Sequence, residues 1–465
     1  MAFLCCIRKE DWFGMKEEKH VRISQCMIVK NEEKNIERAL SWGKSVMWEQ
    51  VVVDTGSTDR TVELARQQGA KVAFFPWADD FAAAKNYAIG QAQGDWIAFL
   101  DADEYMVPED AEKLAQILDG QEGKHFDGIS TGWQQLDDKG QIFASGTQIR
   151  FFRNLPDIRY RRRIHEQLES QAGRELKIGD VAASLSIFHT GYQGEAGKAK
   201  GGRNRRLILE ELKGNPQDYE MMGYMGDECL GDGEKAEAEQ WYRCAVEEMP
   251  LQLPEADQRS AVTYSRLLLI LAEKEEPSRE DVEEIYRKAA AHLPKEADFD
   301  YIMGRFYASQ GQAGEALASL EEALKKLDDG GCTNRALMLA ANLTDAYELL
   351  VRCSFEAGSQ QKCVSYAVAY LQHNRYSMAV LSRLLLVLAP GEGEPGQEEG
   401  RRILEFFGGL YDFTSPKDRM FLVRAAQRAG CGGFGRYAAG RILTPQEQEG
   451  IREAGQRKGR EETGL

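Results

Sequence analysis

No stretch of this sequence stays apolar for the roughly 18 residues that a membrane-crossing helix needs, so no helical span is expected. The opening "MAFLCCIRKEDWFG" has a short apolar patch but neither a positive start nor a cleavage site, and is not expected to act as a signal peptide. The nine cysteines, at 5, 6, 26, 229, 244, 332, 353, 363 and 431, are odd in number and form no CxxC pair. That argues against a disulfide framework and a thiolate metal centre. A reducing, cytoplasmic location is the simplest expectation, with peripheral association to a membrane-bound pathway left open. Positive charge is scarce: 59 Lys and Arg face 75 Asp and Glu, a net charge of −16, which excludes a general nucleic-acid surface. A GxGxxG turn is also missing, which removes the nicotinamide fingerprint.

What is present falls into two halves. A chain of 465 residues exceeds one ordinary core, so two or three domains are expected. Over residues 21–195 strand and helix signals alternate. "VRISQCMIV", Val51-Val52-Val53, "KVAFF" and "WIAFL" read as strands, while Glu32 to Leu40, "DTGSTDRTVELARQQG" and "FAAAKNYAIGQA" read as or turn into helices. Such alternation predicts an α/β domain with a mostly parallel sheet. Beyond Glu109 the segments lengthen and look more antiparallel, as in "DGISTGWQQL", "QIRFFRN" and "LSIFHTGY".

From about residue 200 almost nothing reads as strand. Gly226, Cys229, Ala238, Tyr242 and Ala245 recur at the same spacing as Gly304, Tyr307, Ala316, Leu320 and Ala323, with Pro250 closing the first copy. This is tetratricopeptide spacing. Val282, Tyr286, Ala289 and Pro294 fit the second helix of another copy, and "VRCSFEAGSQQKCVSYAVAYL" a weaker fourth. One repeat cannot bury its own apolar face, so an all-α repeat domain over 200–388 with a shared core is predicted, against the plainer reading of a generic bundle. The Gly/Glu-rich "APGEGEPGQEEG" is expected to separate it from a helical extension over 401–465 that ends in a charged tail.

The chemistry concentrates at strand ends. In open α/β sheets ligands sit off the carboxyl ends of the strands. There the chain delivers "VKNEE" with Glu32, then Asp54 before "TGSTD", then Asp101, Asp103 and Glu104 of "DADE". Clustered carboxylates repel one another unless a cation is bound. Mg²⁺ or Mn²⁺, sharing its oxygen ligands with a diphosphate, answers that need. The plainer reading makes "DADE" a polar turn with acids placed to cap the helix from Glu109 to Leu118, and makes Ser57, Thr58 and Asp59 simple caps.

"CMIVKNEEKNIERAL", "VVVDTGSTDRTVELA", "DDFAAAKNYAIGQAQGDWIAFLDADE" and "IHEQL" together resemble family 2 glycosyltransferases of GT-A fold, with the sublancin-type peptide S-glycosyltransferases as the nearest subgroup. The resemblance spans about residues 21–195. It implies a metal-dependent transfer of a sugar, with inversion, from a nucleotide-diphosphate donor, UDP-linked by expectation. It assigns Asp54 to the nucleotide base, Asp101 and Asp103 to the metal and diphosphate motif, and Asp103 to the metal more directly. Lys85 and Asn86 stand where the family shows Arg-Asn. Lysine keeps the charge but not the planar fork; Lys85 could instead lie on an exposed helix face. His165-Glu166 carries the acceptor side, with Glu166 as the base and His165 as its alternative or its orienting partner. His189 is the candidate third protein ligand of the metal, or else a hydrogen-bonded histidine closing the domain.

Arg159, Arg161, Arg162 and Arg163 stand out in an acidic chain and fit either a diphosphate or anionic acceptor, or a solvated strand edge. Strand alternation lets only some of them point inward. A peptide or protein acceptor is slightly favoured by the helical array, and a glycan is equally compatible with the catalytic half. A non-catalytic repeat adaptor is the alternative, disfavoured because a decayed site has no reason to keep clustered acids. Nucleotidyl transfer is disfavoured because "VKNEEKN" lacks a glycine-rich loop.

Overall fold

The computed structural model describes residues 20–120, 123–190, 196–254, 257–329 and 337–451. The opening apolar patch, Cys5, Cys6, Cys332 and the charged tail lie outside them. The chain forms two compact units that divide between Asp232 and Gly233. Among the described residues no helix is long and apolar enough to cross a membrane. The described cysteines are free thiols, all buried except Cys244.

The first unit begins with the expected alternation: β1 (Ile23–Val29), α1 (Ile36–Ser41), β2 (Glu49–Asp54), α2 (Thr61–Gln67), β3 (Lys71–Phe74), α3 (Phe81–Gln91) and β4 (Trp96–Phe99). A short β5 (Glu104–Tyr105) and α4 (Pro108–Asp119) follow. Then come β6 (Gly128–Leu136), β7 (Ile142–Arg153), β8 (Ile158–Arg161), β9 (Gln167–Ser170), β10 (Ile178–Asp180) and β11 (Ser186–His189). Helices α5 (Ala196–Gly214) and α6 (Tyr219–Gly231) complete the unit.

The main sheet has the order β3-β2-β1-β4-β7-β6-β11-β5, with β10 paired to β6. The first four strands are parallel, β7 runs antiparallel to both β4 and β6, and β11 lies parallel to β6. The sheet is therefore mixed, its parallel half coming from the βαβ region. Both faces are covered, so the central strands alternate between two apolar layers rather than between apolar and polar. On β4, Trp96 and Ala98 pack with Ala111, Leu114 and Leu118 of α4. Ile97 and Phe99 face Ala82, Ala88 and Ile89 of α3. Met27, Val29 and Val52 meet α1 and α2.

The second unit is helical: α7 (Lys235–Glu248), α8 (Gln258–Ala272), α9 (Arg279–His292), α10 (Ala297–Ser309), α11 (Ala313–Asp328), α12 (Leu337–Ala341), α13 (Leu343–Glu356), α14 (Gln360–His373), α15 (Met378–Leu388), α16 (Gln397–Gly408), α17 (Pro416–Arg428) and α18 (Gly432–Ile442). The repeat spacing has a packing reason. A Cβ on Gly304 would come within 2.6 Å of Leu320 Cγ, so α10 and α11 close together only with glycine there. Ala316, Leu320 and Ala323 enter a core shared with Ala346, Leu350 and Cys353 of α13. A second core runs from Val351 to Leu443 and includes Phe407, Leu422 and Phe434, so the helices after the Gly/Glu-rich stretch pack with α14 and α15.

Candidate active site

A cleft of about 810 Å³ opens at the carboxyl ends of the parallel strands. Its walls bring together Lys30 and Glu32 after β1, Lys85 on α3, Asp101 and Asp103 after β4, His165 and Glu166 between β8 and β9, and His189 at the end of β11. The crossover order explains this meeting. Adjacent β1 and β4 each release a polar loop at the same rim, and the pairing of His189 with Glu104 brings the β11 end beside the β4 loop.

The floor is a charge network. Lys85 is only 3% exposed, which rules out the exposed-face reading. Its Nζ is ion-paired to Glu166 Oε1 and stands 3.9 Å from Asp101 Oδ1. Burial works to lower the Lys85 pKa, but the charges of Asp101 and Glu166 outweigh it and hold the pKa above the ordinary value. Burial likewise works to raise the Glu166 carboxyl, and Lys85 reverses this, leaving it below the usual range. Asp101 is lowered to about 2: burial opposes the shift, and Lys85, Arg150 and His189 together overcome it.

Arg150 was not singled out from the sequence. Its Nη2 donates to Asp101 Oδ2 at 2.9 Å and to Glu104 Oε1 at 2.6 Å. Ile129 faces Phe151 and Ser130 faces Ile149 across the β6–β7 ladder, so Arg150 is the extra residue of a bulge. A bulge re-aims a side chain out of strand alternation. Glu104 also accepts from Trp133 Nε1 at 2.8 Å and from the Asp101 amide at 2.9 Å. Burial pushes the Glu104 carboxyl up, with Asp101 adding to it and Arg150 opposing. Glu104 thus braces the loop. The "DADE" acids do not cap α4, whose N-cap is Val107 without a side-chain bond.

Asp103 stands apart from that network. Its Oδ2 lies 3.5 Å from His189 Nε2. Its carbonyl accepts from the Thr190 amide at 3.0 Å and hydroxyl at 3.1 Å, and Arg38 donates to that hydroxyl at 2.7 Å. Two neighbouring ligands of an octahedral ion at about 2.1 Å lie roughly 3 Å apart. A carboxylate oxygen and an imidazole nitrogen at 3.5 Å therefore fit two positions of a Mg²⁺ or Mn²⁺ sphere, with the others open. The oxygens of Asp101 are held by Arg150 and Lys85 instead.

Other sequence candidates have taken protein partners. Asp54, 4% exposed, accepts from the amides of Gly56 and Ser57 at 3.0 and 3.1 Å, closing the turn after β2, where Gly56 has φ +114°. Ser57 accepts from the Asn31 amide, and the Thr58 amide donates to Asn31 Oδ1. The start of α2 is held by Asp59, which accepts from the amide and hydroxyl of Thr61. Asn86 exchanges two hydrogen bonds with the backbone of Tyr160, at 2.8 and 2.9 Å, tying α3 to β8. Glu32 accepts from Asn35 Nδ2 at 2.8 Å while lining the cleft.

The four arginines of the run have protein partners. Arg159 donates to the carbonyls of Leu155 and Ile158, and the exposed Arg161 pairs with Glu169. Arg162 is clamped by Asp218 and Glu220, and the Arg163 amide donates to Glu211. The reason is positional: Asp218 and Glu220 begin α6 and Glu211 lies on α5, whose packing on this loop the sequence did not reveal. Arg162 and His165 adopt φ of +77° and +51°, uncommon for residues with a Cβ. The His165 ring stacks on Tyr224 of α6, with centroids 3.6 Å apart and planes within 5°. Helices α5 and α6 thus hold the loop that carries Glu166 and add Arg203, Asn204 and Tyr224 to the cleft wall.

Residues 24–167 match the family model described as glycosyl transferase family 2. The TPR repeat-containing protein of Synechococcus elongatus is 31% identical over 317 residues, covering 65% of this chain and 75% of that protein. The prophage-derived glycosyltransferase SunS of Bacillus subtilis is 28% identical over 219 residues, covering 46% of this chain and 51% of that protein. The chain belongs to glycosyl transferase family 2. This glycosyltransferase spans three quarters of the first relative and about half of the second. The crystal structure of S. aureus TarS 1–349 with UDP-GlcNAc is 16% identical, covering 63% of this chain and 92% of that one at a TM-score of 0.34.

Of the cleft residues missed by sequence reasoning, Arg150 left a trace there, as one of the two arginines in "QIRFFRN". Arg203 and Tyr224 left none, because they lie in helical sequence beyond the family motifs.

Proposed function

We propose that this glycosyltransferase moves a sugar from a nucleoside diphosphate donor, UDP-linked, to a polypeptide side chain or a saccharide, with inversion at the anomeric carbon. The supporting observation is the meeting, within one cleft, of the Asp103–His189 pair and the Glu166 carboxylate, which shares Lys85 with Asp101. Inversion needs a base on the side of the sugar away from the leaving diphosphate. Glu166 takes that role, and its ion pair with Lys85 keeps it ionised and ready to accept a proton. A diphosphate entering the cleft competes for Lys85. Loosening the pair raises the proton affinity of Glu166 when the acceptor nucleophile must lose its proton.

Mg²⁺ or Mn²⁺, held by Asp103 and His189 with diphosphate oxygens completing the sphere, would neutralise the charge that builds on the leaving group. His165, stacked on Tyr224, fixes the backbone that aims Glu166. Asp54 shapes the turn against which the nucleotide base rests. Lys30 and Glu32, at the mouth beside β1, face the nucleotide. Where the acceptor is a polypeptide, the helical unit is the part that binds it.

The test is a donor screen. The full chain is incubated with Mn²⁺ or Mg²⁺ and a panel of nucleotide sugars, and nucleoside diphosphate release is measured. One donor is expected to be hydrolysed slowly, with the signal abolished by EDTA and by Asp103→Ala. Release that is indifferent to both, or no release and no thermal shift with UDP and metal, would overturn the reading.

A further inference from the structure

Four Lys and Arg side chains line the cleft: Lys30, Lys85, Arg150 and Arg203. Lys85 and Arg150 are neutralised in place by Asp101, Glu104 and Glu166. Lys30 is exposed at the mouth beside β1. Arg203 differs from all three. It is half-buried, lies on α5, and has no acid within ion-pair distance among the described residues. Its guanidinium lies over the Phe81 ring, 5.1 Å from the centroid, and among the described residues its hydrogen bonds go to the Asn204 side-chain oxygen, from Nη2 at 3.1 Å and Nε at 3.4 Å. Burial lowers its pKa, and Glu228 and Asp79 stand too far off to compensate.

A desolvated guanidinium facing a cleft without a counter-ion costs stability unless something negative arrives. Its surroundings say from which side. Phe81 begins α3, and its amide donates at 2.9 Å to the carbonyl of Arg163, on the loop that carries Glu166. Three residues along α5, Arg206 grips Asp79 through two bonds of 2.7 and 2.8 Å, which fixes α5 against the same segment. Arg203 therefore belongs to the base-loop wall, whereas the Asp103–His189 pair sits at the ends of β4 and β11.

We propose that Arg203 is the acceptor-recognition residue of this enzyme and that its acceptor carries an anionic group, a carboxylate or a phosphate, close to the attacking nucleophile. The proposal rests on the glycosyl-transfer reading above, in which Glu166 marks the acceptor side. A planar guanidinium braced on an aromatic face presents its remaining N–H groups as a fork, the arrangement that grips carboxylate and phosphate in two-point contact. The anion would orient the acceptor while Glu166 takes its proton.

The test is binding to the full chain with the donor side filled by UDP and Mn²⁺, followed by calorimetry at fixed ionic strength. One arm compares glucose 6-phosphate with glucose. The other compares the tetrapeptide Gly-Glu-Ser-Gly with Gly-Gln-Ser-Gly. In at least one arm the charged member is expected to bind at least tenfold more tightly than its neutral partner. That advantage should shrink to within about twofold in Arg203→Gln and recover in part in Arg203→Lys. The arm that responds tells a phosphorylated saccharide from an acidic peptide. No advantage in either arm, or an advantage that survives Arg203→Gln, would overturn the proposal. UDP with Mn²⁺ is titrated first, so a failure of the donor reading shows separately from a failure of Arg203.

Discussion

Lys85 and Glu166 form an ion pair at the floor of the cleft, between a helix of the parallel half of the sheet and a loop from its far side. Removing one partner of a buried pair leaves the other charge without compensation, at a cost of about 3–5 kcal/mol. Lys85→Met should therefore destabilise by that order. The pH dependence follows from the shifts. Glu166 and Asp101 are lowered in the folded protein, so their contribution is present above the unfolded carboxylate range and is lost as pH falls through the folded values. Lys85 is raised, so its contribution holds below its unfolded pKa and is lost only as strongly alkaline pH passes the folded one. Urea midpoints between pH 3 and 7 should rise with pH in the wild type. The rise should flatten or reverse in Lys85→Met, where Glu166 must ionise in a buried place alone. An unchanged slope would show that the pair contributes nothing.

The Asp103–His189 pair predicts where metal affinity resides. Asp103→Asn and His189→Ala should each weaken Mn²⁺ binding, read by titration in the presence of UDP, by roughly tenfold or more, since each removes one of few protein ligands. Glu104→Gln should act differently. It leaves both ligands but disturbs the contacts to Arg150, Trp133 and the Asp101 amide, so stability should fall more than metal affinity. If Glu104→Gln abolishes Mn²⁺ binding while Asp103→Asn spares it, the ligand assignment is wrong.

Much of this was readable in advance, and the exceptions share a cause. The βαβ half was legible because β1, β2 and β4 carry the apolar runs Cys26–Val29, Val51–Val53 and Trp96–Phe99 and end in polar rims, a pattern set by burial on both faces. The repeat helices were legible because Gly304 and Leu320 must touch at a fixed spacing. Arg150 was not, because a bulge breaks the alternation that says which way a strand residue points. The partners of the arginine run were not legible, because Glu211, Asp218 and Glu220 lie about fifty residues away in sequence, on helices outside the glycosyltransferase motifs. Asp54 is a subtler case. Its place on the rim was clear, yet its oxygens are occupied by two backbone amides that any Asx turn would use.

The loop that carries Glu166 is held by α6 rather than by its own conformation. Arg162 and His165 sit at positive φ, a cost normally met by outside contacts. Those contacts are the Arg162 clamp on Asp218 and Glu220 and the His165–Tyr224 stack. Tyr224→Ala should free the loop and misplace the carboxylate, lowering kcat for transfer by about ten- to a hundredfold with donor KM changed only a few-fold. Tyr224→Phe keeps the ring and should restore kcat. A parallel loss in both variants would make the hydroxyl, not the stack, the element that matters.

Gly94 tests the scaffold behind the site. It precedes β4, and its amide donates to Ser24 Oγ at 2.8 Å. A Cβ there would stand 2.5 Å from that oxygen and 2.8 Å from both the Arg22 carbonyl and the Ser24 amide. Two of these neighbours are backbone of β1 and its approach, so they cannot turn aside as a side-chain tip could. Gly94→Ala must therefore push β4 away from β1 at the end opposite the cleft, with an overpacking cost of about 1–3 kcal/mol. The register of Ile23 with Trp96 and Cys26 with Phe99 lies between that clash and Asp101. A clash absorbed at the strand start should lower the melting temperature and leave kcat near wild type below the new midpoint. A clash that shifts the whole strand should move Asp101 and Asp103 together, and Mn²⁺ affinity would fall with stability. Measuring both on the same preparation decides between a local and a transmitted strain.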